Sequence, residues 1–403
     1  MQTGTTSDPA FPMPRGCPFD PPAKLLEFQA TGGPRPVRMW DGSRAWLFTR
    51  FEDVRAVLGD NRFSTVPTTP GFPMLSAARD AILNEPPTFI RMDPPEHGRF
   101  RRMLTKEFMV KRVDALRPRI QEIISGLLDQ MEANGPPAEL VDDFALPLTS
   151  RVVSELLGVP YEDSNFFQEQ SRLKVLMDVD PEVPRQASAN IIAYLDKLIT
   201  AKEKNPGTGA DLLSRLVIEQ VQPGHLSHDD AVRMADLLLM AGHETTANQI
   251  ALGTLSFILN PDQKQVLLDR PELLRNAVDE MLRYHSIVHF NGARVALEDV
   301  EVSGHLVRKG EGVFALISPA NRDPAAFECP HDFDITRKAD HHLAFSYGVH
   351  QCIGQPLARA ELQSVFATIF HRLPGLKLAV PLEQLRFKQN SFVYGVEELP
   401  LMW

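Results

Sequence analysis

Apolar residues recur at the helical period from Val113 to Lys204, which predicts helices over 116–132, 148–157, 166–177 and 184–203, with prolines at 136, 137, 160, 181 and 184 between them. The longest predicted helix opens at Ser227-His-Asp-Asp230, a cap with acids in its first turn, and runs to Asn260-Pro261. At the α-helical rise, that length spans roughly 48 Å, enough to cross the whole molecule. Leu237, Leu238, Leu239, Met240, Ile250, Leu252, Leu255 and Ile258 make it apolar on all sides, yet its middle reads Ala241-Gly-His-Glu-Thr-Thr246. A glycine inside a helix costs about 1 kcal/mol relative to alanine. A buried carboxylate costs more unless it is partnered, so this hexapeptide breaks local rules in a way that points to chemistry.

Elsewhere the pattern is shorter. A helix is predicted over 21–30 and another over 51–58. Between them, Asp41-Gly42 lies among alternating apolar residues of 37–48 and signals a hairpin. Residues 62–95 carry prolines at 67, 70, 73, 86, 87, 94 and 95 and read as a long functional loop. A helix begins at Asp93-Pro-Pro-Glu-His-Gly-Arg-Phe-Arg101 and places His97 and Arg101 on one face. A further helix over 271–285 holds Glu280-Met-Leu-Arg283. From Ile287 to Leu316 the period becomes two, giving a small sheet, and closing strands are expected around Phe387 and over 392–395. The fold class is mainly α with a smaller β region.

Composition narrows the function. The net charge of −10 argues against a general nucleic-acid binder, although Arg99, Arg102, Lys106, Lys111 and Arg112 form a local basic stretch. Cys17, Cys329 and Cys352 are odd in number and too far apart for a zinc site, as in a reduced cytosolic protein. Residues 1–20 are polar and proline-rich and read as a flexible tail without a signal peptide, and no apolar run reaches membrane-spanning length. The expected location is the cytoplasm.

The chemical centre is Phe345-Ser-Tyr-Gly-Val-His-Gln-Cys-Ile-Gly354. Gly348 and Gly354 flank Cys352, and a helical pattern with Pro356 in its first turn follows and stops at Leu373-Pro374-Gly375. A cysteine at a helix start meets free N–H groups and the helix dipole, which stabilise a thiolate as metal ligand or nucleophile.

Phe345, Gly348, His350, Cys352 and Gly354 together match Phe-x-x-Gly-x-His-x-Cys-x-Gly, which resembles the haem-thiolate signature of the cytochrome P-450 superfamily. Ala241-Gly-His-Glu-Thr-Thr246 is similar to that family's oxygen-binding motif, and Glu280-Met-Leu-Arg283 to its buried structural pair, with Arg337 as the third member. The motifs fall in the family's order and cover nearly the whole chain. The resemblance implies the cytochrome P-450 fold as one domain over 21–403, with haem b bound through the Cys352 sulfur. It also implies His97, Arg101, Arg294 and His350 on the propionates, Ala241 and Gly242 beside the oxygen site, and Glu244 and Thr245 as proton-delivering catalytic residues. Gly242 is expected to leave room for a diatomic ligand, and Thr245 to bond back to the Ala241 carbonyl and bend the helix.

The implied reaction is O2-dependent hydroxylation or epoxidation of a lipophilic small molecule, and the expected state is a monomer. Electrons come from NAD(P)H through a separate ferredoxin reductase and ferredoxin, with Arg99, Arg102 and Lys106 expected to dock the ferredoxin. A nitric oxide reductase on the same fold and a haem sensor are the alternatives, and the Glu244-Thr245 pair counts against both. Ile287, Val288, Phe290, Phe392 and Val393 are expected to face the substrate, as are the loop over 72–88 and Asn291. The 173–184 linker resembles the family's access lid.

Overall fold

The Asp41-Gly42 signal becomes a hairpin. In the computed structural model, which describes residues 8–83, 86–290 and 292–403, helix α1 (Ala23–Thr31) leads into β1 (Arg35–Arg38), paired antiparallel with β2 (Arg44–Phe48). Gly42 sits at φ +83°, where a side chain would be strained, and the Met39 N–H closes the turn on the Ser43 carbonyl at 2.8 Å. After α2 (Phe51–Gly59) come β3 (Phe63–Ser64), α3 (Ala77–Leu83) and α4 (Glu96–Thr105). Two strands from far along the chain, β5 (Ala293–Ala296) and β8 (Gly312–Ala315), complete a five-stranded sheet in the order β1-β2-β8-β5-β3. Only β2 and β8 run parallel.

The helical body consists of α5 (Val110–Asn134), α6 (Leu146–Leu157), α7 (Ser164–Lys174), α8 (Glu182–Lys204), the short α9 (Leu212–Leu216) and α10 (His228–Leu259). α5 starts six residues earlier than its periodicity suggested and carries Pro118 within it. Ser227 caps α10 as expected, its hydroxyl accepting from the Asp230 N–H at 3.1 Å. Beyond α10 lie α11 (Pro261–Asp269), α12 (Leu274–His285), the hairpin of β6 (Val300–Val302) and β7 (His305–Val307), and α13 (Ile317–Ala320). α14 (Gln355–Phe366) and α15 (Ile369–Arg372) precede β9 (Lys377–Leu378) and β10 (Pro400–Met402), and β10 pairs with both β9 and β4 (Ala138–Glu139). Strands over 392–395 do not form. Single bridges flank that stretch instead, Leu176 with Ser391 and Phe387 with Val396, and the first of them joins the segment to the linker after α7.

α10 is buried along most of its length, and several of its polar interruptions have partners, although the buried Thr254 hydroxyl has none among the described residues. Asp236 meets Lys174 at 2.8 Å, the Gln249 side chain donates to the Met281 carbonyl at 3.0 Å, and Ser256 lies 2.9 Å from the His285 ring.

The expected flexible tail over 1–20 requires correction for residues 8–20; residues 1–7 lie outside the described residues. The Phe11 N–H donates to the Arg38 carbonyl at 3.0 Å, and the Phe11 ring packs edge-on to Phe290 at 5.7 Å and against Phe314. Phe11 is only 2% exposed, so this segment is part of the sheet's core, and its polar, proline-rich sequence hid one aromatic anchor.

Glu280 and Arg283 on α12 form a wholly buried pair at 2.7 Å. Arg283 also donates to the carbonyls of Asn321 and Pro330, while Glu280 accepts from the Asp334 N–H at 3.0 Å and from Arg337 at 3.4 Å. The network ties α12 to the loop that precedes the cysteine. Arg283→Met would strand a buried carboxylate, so it is expected to cost about 3–5 kcal/mol in urea unfolding. A loss below about 1 kcal/mol, the range of surface pairs, would show that the network is dispensable.

Candidate functional site

A cavity of about 660 Å³ lies between α10 and the segment that leads into α14. Its floor includes Phe345, His350, Cys352 and Gly354, and α10 contributes Ala241, Gly242, Glu244 and Thr245. The floor is a tight reversal. Ser346 and Gly348 take φ +64° and +72°, and the Cys352 N–H donates to the Phe345 carbonyl at 2.8 Å. A Cβ on Gly348 would lie 2.6 Å from the Leu58 carbonyl of α2, so that glycine is needed for the turn and does not line the cavity. Gly354, at φ −81°, is not constrained in this way.

Protein surrounds Cys352 except where its sulfur opens on the cavity. Burial pushes the thiol up from its ordinary range, while the N–H groups of Gly354 and Gln355, Arg101 and Arg359 pull it down. Cys17 and Cys329 lie on the surface away from this cavity.

At one end of the cavity three guanidinium groups gather, Arg91, Arg101 and Arg294, and none of them forms an ion pair with a carboxylate among the described residues. Burial lowers Arg294 to about 9 and Arg91 to about 10. The nearby Asp93 carboxylate is occupied by the Ser64 hydroxyl at 2.5 Å and the Thr65 N–H at 2.9 Å. His350 lines the cavity and is driven down to about 3, first by burial and then by Arg294, His97 and Arg91. His97 stands behind it with ring centroids 4.1 Å apart, and His97 Nε2 and His350 Nδ1 are buried without partners. A buried, cationic socket with orphaned donors fits a group bearing two carboxylates, and the thiol fits an iron ligand, so the residues match a haem. Arg91, the extra cation, was not picked out from the sequence because it lies outside any helical pairing pattern.

On α10 the Thr245 hydroxyl donates to the Ala241 carbonyl at 2.7 Å, the back-bond expected from the sequence. Gly242 lines the cavity, and a second constraint also requires a glycine there. A Cβ there would come 2.6 Å from Val153 Cγ2, so the glycine lets α10 press against α6. Glu244 is buried and paired with Lys388 at 3.2 Å, a partner 144 residues away with no sequence signal to announce it. Asn248 donates to the Glu244 carbonyl at 2.8 Å, and Gly395 must lack a side chain because a Cβ would sit 1.9 Å from Asn248 Oδ1.

Ile287, Val288, Phe392 and Val393 line the cavity. Phe290 does not; it turns into the sheet core against Phe11. The linker between α7 and α8 is tied to the C-terminal loop, with the Phe392 N–H on the Val175 carbonyl at 3.0 Å and the Asp178 N–H on Asn390 Oδ1 at 2.7 Å. Asn291 and residues 84–85 of the expected substrate loop lie outside the described residues. Of the basic stretch, Arg99 bonds Glu96 at 2.6 Å and Lys106 is paired with Glu219, which leaves Arg102, Lys111 and Arg112 exposed without ion pairs among the described residues.

The fold and this site point to a haem-binding protein, and comparison with known proteins identifies the family. A family profile described as Cytochrome P450 matches residues 24–388. The chain is 48% identical to Cytochrome P450-SU2 of Streptomyces griseolus over 388 residues, 96% of this chain and 95% of that one. It is 42% identical to the mycinamicin VIII C21 methyl hydroxylase of Micromonospora griseorubida over 98% of this chain and 99% of the relative. The crystal structure of that hydroxylase bound to mycinamicin VIII superposes with a TM-score of 0.93 at 41% identity, covering 98% of this chain and 100% of that one. CYP105P1 in complex with filipin I gives 0.92 at 42% identity, covering 98% and 99%. The chain belongs to the cytochrome P450 family. Its activity is that of an O2-dependent monooxygenase with a haem-iron cofactor, and the nitric oxide reductase and sensor alternatives find no support in these relatives.

The Glu244–Lys388 pair can be tested by a double-mutant cycle on unfolding. Lys388→Met, Glu244→Gln and the double variant are expected to show a coupling of about 1–2 kcal/mol. Additivity within about 0.3 kcal/mol would mean that the two side chains do not interact.

Proposed function

We propose that residues 8–403 form one catalytic domain that binds haem b through Cys352 and hydroxylates or epoxidises a lipophilic small molecule. The observation that carries this reading is that one cavity has the Cys352 sulfur in its floor and the Thr245 hydroxyl and Glu244 carboxyl on the α10 side. When bound, a thiolate-ligated haem iron supplies oxygen activation, the thiolate donating electron density that favours O–O cleavage. Arg91, Arg101, Arg294 and His350 would hold the two propionates, with His97 supporting His350 from behind.

The remaining work falls to this chain's own side chains. Thr245 presents a hydroxyl whose hydrogen is parked on the Ala241 carbonyl, and Glu244 holds a carboxyl one residue away, so protons can pass along α10 to the cavity without admitting bulk water. Ile287, Val288, Leu238, Val393 and Phe392 give the substrate an apolar wall. The mycinamicin hydroxylase and the filipin complex suggest the size and lipophilicity of the molecules such a wall accepts.

Electrons reach the domain from NAD(P)H through a ferredoxin reductase and a ferredoxin, and the protein works in the cytoplasm as a monomer. Among the described residues no helix is long and apolar enough to cross a membrane. The ferredoxin docks over Arg102, Lys111 and Arg112, beside the exposed Met109 and Val110, because the expected Arg99 and Lys106 are already neutralised within the chain.

Thr245→Ala tests the proton role. The variant is expected to retain its haem spectrum and substrate affinity and to go on oxidising NADPH. Product formed per NADPH should fall several-fold, with hydrogen peroxide making up the difference. Unchanged coupling of NADPH to product would reduce Thr245 to a helix-bending residue and remove the main support for this reading.

A further inference from the structure

The cavity wall between α3 and the linker after α7 holds a further guanidinium with no ion pair among the described residues. Arg79 lies on α3, is 7% exposed and lines the cavity next to Ile82, Val175 and Phe392. Its Nη1 donates to the Lys174 carbonyl at 3.3 Å, and its guanidinium stacks over the Phe392 ring at 4.8 Å. Its Nε is buried with no partner. Neither the Nε nor the Nη2 side of the fork is bonded to any described residue, and no carboxylate among them forms an ion pair with it. The adjacent cation is treated differently. Lys174 is also buried, but it is neutralised by Asp236 at 2.8 Å. Among the described residues the charge that acts on Arg79 is the like charge of Arg91, and burial already draws its pKa down to about 9.

A guanidinium held in an apolar wall with its Nε edge unbonded is costly for the folded protein by itself. That edge has the planar, two-donor geometry that pairs with a carboxylate. From this we infer that Arg79 is a specificity residue that receives an anionic group, a carboxylate, on an otherwise lipophilic substrate. The backbone bond to Lys174 and the stack on Phe392 fix the fork, so binding such a group costs little further ordering. This rests on the reading of the cavity as a P450 substrate chamber and adds the substrate's charge to it.

Matched probes test the inference: dodecanoate and its methyl ester, titrated into the haem-loaded enzyme and its Arg79→Gln and Arg79→Lys variants. Binding is read from the Soret shift of the ferric protein and, independently, by equilibrium dialysis. Wild type is expected to bind dodecanoate at least about tenfold more tightly than the ester, the discrimination of one charge-assisted contact. Arg79→Gln should abolish that preference while binding the ester as wild type does, and Arg79→Lys should keep part of it. Equal affinity of wild type for acid and ester, or a parallel loss of both in Arg79→Gln, would overturn the assignment and leave Arg79 as a brace between α3 and α7. The reduced carbon monoxide spectrum of each protein keeps the two readings apart. A thiolate-type spectrum without a carboxylate preference refutes only this inference, whereas a spectrum without thiolate character refutes the reading of the chamber.

Discussion

The turn from Phe345 to Cys352 is the constraint on which the rest depends. A sulfur that is to serve as an anionic ligand has to be held away from solvent, yet a buried thiolate is unfavourable unless donors converge on it. The chain meets this by reversing sharply through Ser346 and Gly348, both at positive φ, and by starting α14 three residues after the cysteine so that the first free N–H groups point at sulfur. α2 packs so closely on this reversal that Gly348 has no room for a side chain. The buried Glu280–Arg283 network, with Arg283 bonded to carbonyls at Asn321 and Pro330, holds the approach to the turn from the other side.

α10 is the complementary constraint. It is buried on nearly every face, so each polar residue in its middle needs a partner, and those partners connect distant parts of the chain. Asp236 is tied to Lys174 at the end of α7, and Glu244 to Lys388 near the C-terminus. The same C-terminal loop bonds the linker after α7 through Asn390 and Phe392. The carboxyl of the α10 motif and the linker over the substrate wall are thus tied to one segment.

Most of the helical frame could be read from periodicity, and Cys352, Thr245 and the Glu280–Arg283 pair from motif and local chemistry, because those signals sit within a few residues of each other. What escaped notice is set by long-range packing. The burial of Phe11 depends on β1 and Phe290, the Lys388 contact spans most of the C-terminal half, and Gly242 answers to Val153 on another helix. No local pattern encodes these. Phe290 shows the same limit in reverse: it is two residues from the cavity-lining Val288 by sequence, yet its ring belongs to the core beneath the N-terminal segment. Charge was legible only in sum. The basic stretch was evident, but whether Arg99 and Lys106 were free depended on Glu96 and Glu219.

On the proposed function, the Cys352 sulfur would hold the iron of a haem in this cavity. The reduced carbon monoxide complex tests this most directly, because a thiolate ligand gives a red-shifted Soret band that a neutral ligand does not. The wild type, Cys17→Ser and Cys329→Ser are all predicted to show that band, and Cys352→His to lose it while still binding haem. A thiolate band that survives in Cys352→His, or that disappears in Cys17→Ser or Cys329→Ser, would contradict the account.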